Sequence, residues 1–154
     1  MRPYVYAFCF ETADGEVFFR FPRFPEIVSA VKAGAYRRMS AAAKTAHAHD
    51  AVVAALQAIV HTRDDVPQPD DPAVTRAGGF VYLSVTEAMK LELYRLFRAD
   101  GGSMAGFAKL LGRTETVARR LLNLRHNSRP QEIEAAIAAF DKRLVHDWRL
   151  EAAA

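Results

Sequence analysis

The chain has 154 residues, of which 51% are hydrophobic and 25% charged, enough for one large globular domain or two small ones. No apolar run approaches the ~20 residues of a membrane span, and no basic-then-apolar leader opens the chain, so a cytoplasmic protein away from the membrane is expected. The net charge of +3 lies wholly in the second half: residues 1–78 carry nine Lys/Arg and nine Asp/Glu, residues 79–154 twelve and nine, which points to nucleic acid as a partner of the second half and something else as a partner of the first.

Tyr4 to Glu11 (YVYAFCFE) is rich in aromatic and β-branched residues and predicts a strand. The one cysteine, Cys9, allows no internal disulfide and is expected as a small core residue of this strand. Ala13-Asp14-Gly15 predicts a hairpin turn, and Glu16 to Phe21 the return strand. Pro22 and Pro25 end it, and Ile27 to Val31 is a short third strand. Lys32 to Lys44, Ala-rich and basic, is either a short helix or an exposed loop. His47 to His61 is a helix, with Ala51, Val52, Ala55, Leu56 and Ile59 as the stripe that packs on the sheet.

Residues 64–79 hold three prolines and no periodicity, the pattern of a stiff linker. Phe80 to Leu83 (FVYL) is a short strand with sticky edges, expected to pair with the first sheet or with the same strand of a second chain. Phe80, Val81, Tyr82 and Leu83 are therefore the candidate dimer seam. Ser84 or Thr86 caps a helix to about Arg98.

The densest information lies in Ser103 to Arg129, SMAGFAKLLGRTETVARRLLNLRHNSR. Ser103 caps a helix whose inner positions are Phe107, Leu110 and Leu111. Gly112 stops it, since glycine takes the left-handed conformation at little cost. Thr114 caps a second helix to about Leu124, with Ala118, Leu121 and Leu122 inside and Val117 at the edge. Two helices joined by about three residues fit a helix-turn-helix. The outer face of the second helix carries Thr116, Arg119, Arg120 and Asn123, with Arg125 just beyond. Arginine reads guanine edges bidentately, asparagine reads adenine, and both hold phosphates. Arg113, Thr114 and Arg125 complete the candidate DNA-binding set, with Arg113 and Arg125 better suited to phosphate. The competing explanation is a solvated helix face with a weak Glu115–Arg119 pair. The local charge weighs against it: residues 95–129 hold eight Lys/Arg against Asp100 and Glu115. Gln131 to Val145, introduced by Pro130, is the last helix, and the tail at 147–154 is expected to fray.

His47, His49 and His61 lack the spacing of a metal site, and Glu11 and Glu16 are the only strand carboxylates, too few for two-metal nuclease chemistry. The sequence predicts no catalytic residues, metal or cofactor. The expected class is α+β: a small antiparallel sheet with a packed helix (1–63), a linker (64–79), and a strand plus all-α helix-turn-helix unit (80–146).

Two motifs carry a family resemblance. DGEVFFRFPRFPE resembles the hairpin that opens HicB-type antitoxins, and VYLSVTEAMKLELYRLF with the following FAKLLGRTETVARRLLNLRHNSRPQEIEAAIAAFDKRL resembles the C-terminal half of their helix-turn-helix subclass. The resemblance implies a partial RNase H-like first domain with a β-β-β-α core and no catalytic carboxylates. It implies that this domain masks a small basic mRNA interferase toxin of the HicA type, with Phe19, Phe21, Arg23 and Phe24 as the expected toxin-facing positions. It further implies a homodimer or tetramer that binds double-stranded operator DNA and represses its own operon. The alternative is a stand-alone transcription regulator whose first domain serves assembly only.

Overall fold

A computed structural model of the chain describes residues 4–145; the expected tail at 147–154 lies outside the described residues. The fold is α+β. Four antiparallel strands, β1 (Val5–Ala13), β2 (Glu16–Arg20), β3 (Ser29–Lys32) and β4 (Gly79–Tyr82), are ordered β3-β2-β1-β4. Helices α1 (Ala33–Arg38) and α2 (Ala41–Thr62) follow β3. Helices α3 (Val85–Ala99), α4 (Met104–Leu111), α5 (Glu115–Leu122) and α6 (Pro130–Ala138) follow β4.

The β1–β2 hairpin forms where Asp-Gly permits it: Asp14 and Gly15 both take positive φ, 51° and 78°, as a two-residue hairpin turn requires. This sets Phe10 opposite Phe19 and Ala13 opposite Glu16. Period-2 alternation then sends Tyr6, Phe8 and Phe19 to the face covered by α2, where Val52 and Leu56 are fully buried with them. Cys9 goes the other way. It is exposed, not a core residue, because it alternates with Phe8 and Phe10. The same alternation buries Phe19 and Phe21, and Phe24 is buried against Tyr6, ring centroids 4.9 Å apart. These three rings fill the core and present nothing to a toxin.

β3 begins at Ser29, two residues later than expected, because Phe24 N–H donates to Phe21 C=O and Ile27 N–H to Phe24 C=O, turning the chain after the prolines. The Ala-rich stretch is helical. Ser40 caps α2, accepting from the Ala43 N–H at 3.1 Å, and the alanines supply propensity where they show no amphipathic period.

Residues 64–78 contain no helix or strand, yet they are tied down. β2 diverges after Arg20, and the edge of β1 that it frees is taken by Asp70: its N–H donates to Val5 C=O at 2.8 Å, and its carboxylate accepts from Ala7 N–H at 2.8 Å. β4 pairs with the opposite edge of β1, Val81 facing Tyr6 and Tyr82 facing Val5.

α3 joins the two halves. Its capping box, Ser84 with Glu87, fixes its start. Ala88 and Leu91 pack into the sheet core, while Met89, Leu93, Tyr94 and Phe97 pack into a second core with α4, α5 and α6. α6 starts at Pro130 as expected and stops at Ala138, earlier than expected; Phe140 beyond it still stacks on Phe107, centroids 5.8 Å apart. No helix among the described residues is long and apolar enough to cross a membrane.

Candidate nucleic-acid interface

The Ser103–Leu122 unit is built by local chemistry. The Ser103 hydroxyl accepts from Gly106 N–H at 3.2 Å and opens α4. Gly112 closes it at φ +59°. A Cβ there would meet nothing within 4 Å, so glycine is wanted for its backbone conformation and not for space. The Thr114 hydroxyl accepts from Val117 N–H at 3.4 Å and opens α5. Gly112, Arg113 and Thr114 thus form a three-residue turn between two capped helices, the helix-turn-helix read from the sequence.

The underside is apolar. Ala118, Leu121 and Leu122 of α5 are buried with Phe107 and Ala108 of α4 and with Ile133, Ala136 and Ile137 of α6. Leu110 is an exception: it is 42% exposed, and Leu111, one position on, takes the inward place expected of it. Leu110 and Val117 border an open groove between α4, α5 and α6, rimmed by Arg113, Arg120 and Arg129.

The outer face of α5 is polar and exposed. Thr116, Arg119 and Arg120 project from it, and Arg113 and Arg125 flank its two ends. Arg119 pairs with Glu115 across one helical turn at 3.0 Å; both side chains are open to solvent, so the pair is worth well under ~1 kcal/mol and opens easily. Among the described residues, Arg113, Arg120 and Arg125 have no carboxylate partner. A helix such as α5 is ~10–12 Å across with its side chains, which the ~12 Å wide major groove admits.

Two expected members of this face have other work. The Thr114 hydroxyl is the cap of α5. Asn123 lies past the end of the helix, half-buried in extended backbone, where its Oδ1 accepts from Arg125 N–H at 2.9 Å. Its N–H still closes the last helical turn on Arg119 C=O at 3.1 Å, so what turns Asn123 from the outer face is the bond its side chain makes to the following turn.

A residue that composition did not single out sits under this end. Lys90 of α3 is fully buried. Its Nζ donates to Asn123 C=O at 2.6 Å and to His126 C=O. Burial pushes its ammonium down to about 8, against a smaller upward pull from the Glu87 carboxylate. The signal was present: Lys90, Leu93, Tyr94 and Phe97 share the i, i+3, i+4, i+7 stripe of α3, so a lysine occupies an apolar position. Gln57 of α2 grips the same turn, its Oε1 accepting from Leu124 N–H at 2.8 Å.

Of the expected toxin-facing set, Arg23 is exposed but committed to Asp70, 2.8 Å away. Of the expected dimer seam, Val81 is buried, Phe80 and Leu83 are half-buried, and Tyr82 is 54% exposed. β4 is the terminal strand of the sheet, with its outer edge unpaired among the described residues.

No three His, Cys, Asp or Glu side chains among the described residues are placed to share a metal ion. His47 shares a hydrogen bond with Ser29 at 2.8 Å, and His49 with Glu87 at 3.1 Å. Compared with known protein families and with curated proteins, the chain has no match.

Proposed function

We propose that the chain binds double-stranded DNA through α5 and acts as a transcriptional repressor. The observation that carries this reading is the α4–turn–α5 unit, capped at Ser103, Gly112 and Thr114. Its exposed face holds Arg119 and Arg120, with Arg113 and Arg125 free of acidic partners on either side. Arg119 and Arg120 are the base-reading candidates, and Arg113 and Arg125 hold phosphates. One unit of this size offers few contacts, so two copies on a palindromic site are required for tight specific binding. The free edge of β4 is the proposed seam between them. The test is binding to the DNA upstream of the chain's own gene, compared for the wild type and the R119A/R120A variant.

A second reading extends the first: the chain is the antitoxin of a HicA-like toxin. It is favoured by the order of the first half, three strands followed by helix with one helix-covered face, which agrees with the β-β-β-α core that the HicB resemblance implies. Co-expression with the adjacent small open reading frame tests it. Rescue from toxicity with a stable complex supports the antitoxin, and the absence of both leaves the stand-alone regulator.

A further inference from the structure

A helix end leaves carbonyl groups without intrahelical partners. The usual remedy is a glycine in the left-handed conformation. α5 has none: Asn123, its C-terminal cap, is extended at φ −75°, ψ 111°. Just beyond this end, where a helix dipole favours a cation, the Lys90 ammonium donates to the Asn123 and His126 carbonyls together, each of which also accepts a backbone N–H of the turn, from His126 and Ser128. Lys90 forms no ion pair with any described carboxylate. A buried cation without one is expensive, and leucine or methionine would fill the same space with no charge to desolvate. What the ammonium alone supplies is the tie to both carbonyls. From the other side Gln57 holds Leu124 N–H, and the Leu124 side chain is buried in the sheet core. The turn after α5 is therefore held by α3 and by α2 at once.

We propose that Lys90, supported by Gln57, is a positioning residue for DNA recognition: it fixes the end of α5 and the 123–126 turn against α2 and α3, and so sets how Arg119, Arg120 and Arg125 meet the duplex. The inference rests on the DNA-binding reading.

The variants are Lys90→Met and Gln57→Leu in the full chain. Each is measured by binding to the upstream duplex and to a scrambled duplex of equal length, by amide hydrogen exchange, and by thermal melting. In K90M, specific affinity is expected to fall about 10- to 100-fold, the scale of losing one or more well-placed base contacts. Scrambled-duplex binding should change little, and the 123–126 amides should exchange faster while those of α6 do not. Q57L should show the same pattern more weakly, and it keeps the test sharp if K90M melts below the assay temperature. Unchanged discrimination in both variants overturns the proposal. So does a parallel loss of specific binding, scrambled binding and melting temperature, which marks Lys90 as a residue of general stability. If the wild type binds neither duplex, the DNA-binding reading fails and the proposed role falls with it, whereas the exchange data still report whether the turn is pinned.

Discussion

Arg23 and Asp70, 47 residues apart in sequence, meet at 2.8 Å between Nε and Oδ1. The second carboxylate oxygen of Asp70 accepts from Ala7 N–H. Asp70 thus stands in for a neighbouring strand where β2 has turned away, and Arg23 completes it from the turn that β2 enters. Replacing Asp70 with Ala strands a buried N–H donor and removes the partner of Arg23. A loss of about 2–3 kcal/mol is expected, near the upper end for an unsatisfied buried group. Arg23→Ala removes a half-exposed guanidinium from the buried Asp70 carboxylate but leaves the Ala7 N–H bond in place, and should cost about 1–2 kcal/mol, less than Asp70→Ala. Urea denaturation of the two variants checks the order; equal losses would assign the stabilisation to the ion pair and not to the backbone tie.

The three residues that punctuate the α4–α5 unit should behave independently of the sheet. Ser103→Ala and Thr114→Ala each remove a cap and are expected to cost about 1 kcal/mol. Gly112→Ala meets no steric obstacle, so its cost is that of placing a side chain at positive φ, about 1–2 kcal/mol. Thermal unfolding followed by circular dichroism measures all three. A larger loss for Gly112→Ala would mean that the turn is packed more tightly than its open surroundings indicate.

Lys90 and three tyrosines give stability a pH profile with opposite signs in two windows. In the folded chain the Lys90 ammonium titrates at about 8, below its ordinary ~10.4. Between these values the unfolded chain binds more protons, so stability rises with pH, by at most ~1.4 kcal/mol per pH unit. Tyr4, Tyr6 and Tyr94 are raised above the ordinary phenol range, chiefly by burial. Above pH ~10 the unfolded chain loses phenolic protons that the folded chain keeps, and stability falls. The wild type should therefore gain stability from pH 8 to about 10 and lose it beyond. K90M should keep the fall and lack the rise. Urea titrations at three pH values decide this, and a rise that survives in K90M would assign it to another group.

Local rules made much of this legible. The hairpin at Asp14-Gly15, the caps at Ser103 and Thr114, the stop at Gly112 and the start at Pro130 each depend on a residue and its immediate neighbours, and each could be read directly; the cap of α3 was left between Ser84 and Thr86 and is Ser84. The exposure of Arg119 and Arg120 was legible for the same reason, because helical spacing around Ala118, Leu121 and Leu122 fixes what lies opposite. Long-range roles were not. Nothing near Asp70 announces that it will bond to Ala7, and the stretch around it reads as a free linker. The start of α2 was hidden because a run of alanines has no polar and apolar sides. Cys9 was expected inside because the strand reads as uniformly apolar, whereas alternation sends it to the open face; Phe19, Phe21 and Phe24, toxin-facing by resemblance, are buried in the sheet core. Helical spacing holds as far as Asn123, whose N–H bonds to Arg119 C=O, but it does not show that the Asn123 side chain accepts from Arg125 N–H in the turn beyond.

Arg119 and Arg120 should be separable from Arg113 and Arg125 by salt. Losing a phosphate contact weakens binding to every sequence and lowers the salt slope by about one unit per contact, whereas losing a base contact relaxes specificity. R113A and R125A are therefore expected to flatten the salt dependence with discrimination intact. Loss of discrimination in either would move it into the base-reading set.

The most direct measurement is fluorescence anisotropy of a labelled duplex from the region upstream of the gene, titrated with the wild type and with R119A/R120A at fixed ionic strength. Saturable binding by the wild type, competed poorly by a scrambled duplex, is expected. The double variant should lose at least 10-fold, on the scale of ~1–3 kcal/mol per bidentate contact, with its melting temperature unchanged. Equal affinity of the two proteins for that duplex, both folded, would contradict the assignment of α5 as the reading helix.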